Sequence, residues 1–229
     1  LYSSAASDVY KRQLGDHIIN NGMVRHFYNE YGAITLFAYK HNLKNVQYMY
    51  RDLENLQVIG SESDAQIDSY IQKTGVDCIK IGFSDLSGLM PELAFDKAFY
   101  KLADLDFSIR FDEFYLQRDL AKENEVIEAL NPTGEKYVFV HDDSMRGFSI
   151  DLEKVRTDYK IVMNDKQFNV FDYLTLIENA EEVHFMQSSF KELICSFDLD
   201  KPTLYQHNYV RKYEECMNST GLNSFIEID

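Results

Sequence analysis

The sequence predicts an α/β protein of two lobes, each built on a parallel β-sheet, and three observations support that expectation. Short apolar runs of strand length alternate with longer stretches of helical periodicity along the chain. The alternation pauses once, at NPTGEK (Asn131 to Lys136), where Pro and Gly share a short polar stretch, and then resumes. The 229 residues, 45% of them hydrophobic, suffice to bury one large core or two small ones. Strands alternating with helices at this spacing form βαβ units, whose strands run parallel. Two Rossmann-like lobes are therefore expected, over residues 14–130 and 131–229.

In the first lobe, Ile18 to Tyr31 has the period of an amphipathic helix. Ile19, Met23 and Phe27 share a face that Val24, Tyr28 and Tyr31 widen. Gly22, inside it, permits close backbone packing. ITLFAY (Ile34 to Tyr39) reads as a strand, Leu43 to Leu53 as a helix and LQVIG (Leu56 to Gly60) as a strand. Asp64 to Thr74 follows as a helix closed by Gly75, then CIKIG (Cys78 to Gly82) as a strand. A helical hairpin region runs from Leu93 to Leu130. In the second lobe the strands are YVFVH (Tyr137 to His141), YKIVM (Tyr159 to Met163), VHFMQ (Val183 to Gln187) and PTLYQ (Pro202 to Gln206). Helices are expected over Val170 to Ala180, over Ser188 to Phe197, and in HNYVRKYEECMN from His207.

A net charge of −15, spread along the chain, repels nucleic-acid backbones and anionic membranes, so neither is an expected partner. A polyanionic small ligand then needs a local positive site made of helix N-termini and one or two arginines. No run of about 18 apolar residues reads as a transmembrane helix, and no charged-then-apolar signal peptide is recognisable at the start. Cys78, Cys195 and Cys216 are scattered and odd in number, which suits buried small side chains in a reducing compartment, the cytoplasm.

Three stretches could carry chemistry. LGDHIINNGMVRHF (Leu14 to Phe27) places Gly15 and Asp16 before an amphipathic helix. Asp16 is either a helix N-cap or, projecting into a cleft between lobes, a base that takes a proton from an acceptor hydroxyl. His17 beside it reads as a polar lip residue, with a base as the alternative. YVFVHDDSMRGF (Tyr137 to Phe148) ends an apolar strand in His141, Asp142 and Asp143, followed by Ser144, Arg146 and Gly147. Loops after the carboxyl ends of parallel strands face the ligand crevice. Arg146 there could clamp a diphosphate or form a solvated turn with an aspartate. VHFMQSSFKEL (Val183 to Leu193) delivers Ser188, Ser189 and Phe190 to a helix start, where hydroxyls and free N–H groups cradle phosphate. The plainer reading is a serine cap with Ser189 and Glu192 as a capping box. No P-loop, GxSxG, HExxH or CxxC pattern is present. Asp142 and Asp143 lack further ligands at useful spacing, and the six histidines are widely spaced, so no metal site is expected.

Together, LGDHIINNGMVRHF, YVFVHDD and EEVHFMQSSFKELI resemble two-lobed glycosyltransferases of the GT-B class over about residues 14 to 206. The first stretch is similar to the Gly-Asp motif of bacterial heptosyltransferases, and the SSF corner to the donor-lobe element of some GT-B fucosyltransferases. The resemblance implies that Asp16 deprotonates the acceptor and that Ser188, Ser189 and Phe190 lie near the nucleotide-sugar phosphates. Arg146 stands roughly where the fucosyltransferase loop arginine does, although the His-x-Arg-Arg pattern is absent. The donor-loop Asp-Thr-Gly of heptosyltransferases is replaced by MQSSF, so ADP-heptose is not implied as donor. What it does imply is metal-independent, cofactor-free displacement at an anomeric carbon, with a nucleotide sugar as donor and a glycan or other hydroxyl as acceptor. The alternatives are a non-catalytic nucleotide-sugar or glycan-binding protein of the same fold and a nucleotide-sugar epimerase.

Residues 3 to 13, SSAASDVYKRQ, translate over all eleven codons a DNA that resembles a transposase-type sequencing-library adapter. Residues 1–13 are accordingly expected to be foreign to a gene fragment that begins at Leu14. The Gly-Asp motif of the resembled family follows a first strand, which implies that the first strand of the N-terminal lobe is missing here, and DVYKRQ should either stand in as a poor strand of that sheet or hang free.

Overall fold

The structure, a computed structural model, describes residues 5–9, 13–76, 78–81, 88–89, 92–143, 146–155, 158–208 and 221–228, with the backbone alone for 5–9 and Lys80. Its contacts fall into two compact units, one ending at Gln117 and one beginning at Arg118 and taking in the returning segment from Gly221.

The first unit holds β1 (Ala5–Val9), β2 (Ile34–Tyr39), β3 (Leu56–Ser61) and β4 (Cys78–Ile81), in the order β3-β2-β1-β4 with every pairing parallel. The expected place of the first strand is thus taken by Ala5–Val9, whose backbone pairs on both sides: Ala5 with Ile34, and Ala6 with Cys78. The chain steps from β1 outward to β3, then returns to lay β4 on the other flank of β1. That reversal opens a switch point at the carboxyl ends of β1 and β4, where parallel α/β sheets bind ligands.

The long helix expected from Ile18 is two helices, α1 (Leu14–Ile19) and α2 (Asn21–Tyr31). The joint at Asn20 is held from α5 (Phe95–Leu102), whose Tyr100 hydroxyl donates to the Ile19 carbonyl at 2.9 Å and accepts from the Met23 N–H at 3.3 Å. Ile19, Met23 and Phe27 pack with Ile34, Ile81, Phe95 and Phe99, so the face read from periodicity is the buried one. Gly22 lies against the backbone of α6 (Ile109–Asp112), where a methyl would overlap the Ile109 carbonyl oxygen. α3 (Leu43–Met49) stops short of Leu53, and beyond it Asp52 accepts two bonds from Arg25, at 2.8 and 2.9 Å. α4 (Asp64–Thr74) ends on Gly75 at φ +62°, whose N–H reaches the Ile71 carbonyl, a left-handed cap that glycine adopts without strain.

The second unit holds β5 (Tyr137–Val140), β6 (Lys160–Met163), β7 (Glu182–Met186), β8 (Thr203–His207) and β9 (Ile226–Ile228), all parallel in the order β6-β5-β7-β8-β9. β5 and β7 are buried along their whole length, as parallel strands covered on both faces are. From β5 the chain goes first to one flank and then to the other, so this sheet has its switch point between β5 and β7. α7 (Leu120–Leu130), read from sequence as the end of the first lobe, packs here against α8 (Leu174–Asn179). Arg118 fastens the pair, bonding Glu123 on α7 and both Glu178 and Thr175 on α8. The break at Asn131 therefore lies within the second unit, between α7 and β5.

α9 (Ser189–Cys195) follows β7, and its last carbonyls are capped from the returning segment. Asn223 Nδ2 donates to Ile194 and Phe197, and the Leu222 N–H to Cys195. This anchoring places β9 beside β8. The helix expected from His207 is not seen at its start, because His207 closes β8. Asn208 follows with its N–H on the Ile228 carbonyl, and the stretch from Tyr209, with Cys216, lies outside the described residues, as do Gly82 and Ser144. Among the described residues no helix is long and apolar enough to cross a membrane.

Candidate functional site

The switch point of the second sheet gathers five residues singled out from sequence: His141, Arg146, Ser188, Ser189 and Phe190. Val140 pairs with His184, and the His141 N–H donates to the His184 carbonyl at 2.8 Å, so the β5 loop leaves beside the corner that follows β7. The His141 ring packs against Phe190, centroids 4.1 Å apart. Phe190 in turn touches Phe139 and Tyr173, an aromatic floor under the loop. Burial pushes the His141 imidazole down to about 4, the Asp143 carboxylate opposing and the Arg146 guanidinium adding to the shift. His141 is therefore neutral at pH 7, and its Nδ1 is buried without a protein partner among the described residues.

The loop itself is closed by hydrogen bonds. Asp142 accepts from the Ile150 N–H at 2.7 Å, and Asn164 bonds both the N–H and the carbonyl of Asp142. Asp143 and Phe148 form an antiparallel bridge, with Gly147 at φ +79° in the turn between them. Both aspartates are thus committed to the loop. Among the described residues no group of three His, Cys, Asp or Glu side chains is placed to hold a metal ion. Arg146 Nε donates to Asp143 Oδ2 at 2.5 Å, and Nη2 to the Gln187 carbonyl at 3.0 Å. The arginine–aspartate turn of the plainer reading is present, and it reaches further than a turn. It ties the β5 loop to the residue immediately before Ser188.

Ser188 is extended (φ −156°, ψ −178°) and is the residue from which α9 starts. The capping box expected of Ser189 and Glu192 does not form in that register, because Ser189 is already the first helical residue. Ser188 Oγ caps no helix N–H and is buried without a partner among the described residues. A hydroxyl and the first N–H groups of α9 therefore lie together next to Arg146.

In the first unit, Gly15, Asp16 and His17 follow β1 on α1. The helix begins at Leu14, so Gly15 and Asp16 are inside its first turn rather than ahead of it. Gln13 occupies the cap position, and Asp16, three residues on, accepts the Gln13 N–H at 3.2 Å. The carboxylate satisfies an orphan helix donor from within the helix. His17, expected at a polar lip, is 2% exposed, because α1 turns that side inward with Ile18 and Ile19. At the carboxyl ends of β2 and β3, Tyr39, Lys40, His41, Ser61 and Glu62 line an open cavity of about 370 Å³. Tyr39 and His41 stack there at 5.7 Å, and Lys40 pairs with Glu62 at 2.7 Å.

Sequence reasoning missed Gln187, since it serves through its main-chain carbonyl and any residue type would do. It also missed the cavity at β2 and β3, whose residues have no motif and meet only when two strands pair.

No protein-family model matches the sequence, and none of the curated proteins matches it. Among solved structures, the chain is similar to the glycosyl transferase family 9 protein from Veillonella parvula DSM 2008 (TM-score 0.54, 10% identity, covering 90% of this chain and 81% of that one). It is also similar to the iron-containing dodecameric glycosyltransferase TibC from enterotoxigenic E. coli H10407 (TM-score 0.56, 11% identity, covering 89% and 58%). A third is the ADP-heptose lipopolysaccharide heptosyltransferase II of E. coli (TM-score 0.51, 7% identity, covering 98% and 90%). At these identities the likeness defines the fold: α/β with parallel sheets, of the kind found in GT-B glycosyltransferases.

Proposed function

We propose that the chain is a glycosyltransferase that moves a sugar from a nucleoside-diphosphate sugar to an acceptor hydroxyl. The observation that carries this reading is the convergence of Arg146, Ser188, Ser189 and His141 at the switch point of the second sheet. Arg146 Nη1 makes no hydrogen bond to the described residues, and the side chain is 44% exposed, so it can meet an anionic oxygen. Ser188 Oγ and the first N–H groups of α9 supply neutral donors beside it. Such a set stabilises the charge that develops on a departing nucleoside diphosphate, and the reading needs no metal to do so. His141, neutral, offers a hydrogen bond without charge to the remainder of the donor. Asp16 is the base on the acceptor side, removing the hydroxyl proton as that oxygen attacks the anomeric carbon. Three cysteines scattered along the chain, odd in number, fit work in a reducing compartment, the cytoplasm.

Thermal shift with a panel of UDP-, GDP- and ADP-sugars tests donor binding, since a ligand of the native state raises apparent stability by mass action. Asp16→Asn is expected to lower transfer by about 100-fold or more, the usual scale for a lost general base, with donor binding retained. Full transfer by this variant would remove Asp16 as the base. A nucleotide-sugar-binding protein is the second reading, favoured by the engagement of Asp16 with the Gln13 N–H. It predicts donor binding with no release of nucleoside diphosphate for any acceptor. An epimerase would convert the donor with no acceptor present.

A further inference from the structure

A carboxylate beside an anion-binding arginine ordinarily weakens the site, by repelling the ligand and neutralising the cation. The loop after β5 is arranged so that the opposite should hold. Asp143 meets Arg146 three ways: its carbonyl accepts the Arg146 N–H at 3.0 Å, Oδ1 lies 3.4 Å from that same N–H, and Oδ2 accepts from Nε at 2.5 Å. Asp143 is itself fixed by paired backbone bonds to Phe148, each 3.1 Å. The guanidinium so held places Nη2 on the Gln187 carbonyl at 3.0 Å, leaving Nη1 over.

We propose that Asp143 is a positioning residue for a nucleoside diphosphate, acting through Arg146. It orients the guanidinium before the ligand arrives and, through Gln187, fixes the corner that carries Ser188. The proposal rests on the donor reading above. Two magnitudes decide its sign. An arginine free to rotate must be frozen on binding, which can cost up to about thirty-fold in affinity. A carboxylate roughly 7 Å from a phosphate in a water-exposed site costs about threefold by repulsion. Pre-orientation should win.

Titrations of ADP, GDP, UDP and pyrophosphate into the unaltered chain, Asp143→Asn, Arg146→Ala and the double variant test this. For the diphosphate that binds best, Asp143→Asn is expected to weaken affinity about five- to tenfold. In the Arg146→Ala background the same change should do nothing, or tighten binding by up to threefold. Tighter binding in the presence of Arg146, or equal weakening in both backgrounds, overturns the proposal. Amide hydrogen exchange at Ser188 to Phe190, measured without ligand, should quicken in both single variants, and unchanged rates also overturn it. If no diphosphate binds the unaltered chain, the donor reading fails, and the proposal, which rests on it, is overturned too. The exchange rates still report separately on whether Asp143 and Arg146 fix the Ser188 corner.

Discussion

At Gly22 two opposing magnitudes meet in one methyl group. Alanine in a helix interior ordinarily gains about 0.5–1 kcal/mol over glycine. Here the added carbon would overlap the Ile109 carbonyl oxygen and come within 3.0 Å of the Arg110 carbonyl oxygen, both of them backbone that cannot swing aside. Overpacking of that kind costs about 1–3 kcal/mol, so Gly22→Ala is expected to be net destabilising in urea unfolding. A small residue inside an amphipathic pattern was legible as a close-packing position, although its partner was not. Asp16 shows the reverse case. Its carboxylate was legible as a helix-start group, but its position in the helix depended on Gln13 taking the extended conformation and on Tyr100 holding the joint at Asn20. Tyr100 is far away in sequence, and no local pattern announces it.

Strands β7 and β8 carry a polar cluster in an apolar sheet. His184 Nδ1 and His207 Nε2 are 2.9 Å apart, His184 stacks on Tyr205 at 4.5 Å, and Glu182 lies 3.4 Å from His184 Nε2. Burial pushes both imidazoles down to about 4; for His207 the His184 ring and Lys154 add to this and Asp151 opposes it. The folded state then holds neutral rings while the unfolded chain protonates below about 6.5. Their contribution is complete above pH 6.5 and is lost as pH falls towards 4. Replacing both with glutamine should flatten the fall in urea midpoint between pH 7 and 5 relative to the unaltered chain. An equal fall in both proteins would show that other groups govern acid sensitivity. Element by element, β2 and α4 match their sequence patterns to the residue, because apolar runs and a closing glycine mark their ends. β9 was not legible, and β1 was foreseen only as a poor stand-in strand placed in DVYKRQ, a few residues later than Ala5–Val9. AASDV is poor in β-branched residues, and three residues of IEI become a strand only through pairing with β8 and the grip of Asn223 on α9.

For the whole molecule, the alternation of strand and helix was enough to foresee two parallel sheets, because few connections satisfy βαβ packing. Strand order was not foreseen, and strand order is what creates the two switch points. Locating the candidate residues therefore needed the structure even where their motifs were quoted from sequence. The last strand in the order of the second sheet, β9, has a further consequence for how the molecule behaves among its own copies. No strand among the described residues pairs with its outer side, where Ile226 is 50% exposed and the Glu227 carboxylate stands in the middle of the three residues. A second chain adding a strand there would have to bring another surface against that charge, on a molecule already at −15. Glu227→Val is expected to leave the unfolding midpoint nearly unchanged yet to raise light scattering on concentration in 0.3 M salt, where long-range repulsion is screened. One carboxylate on a three-residue strand would then act as the guard against edge-to-edge fibre growth.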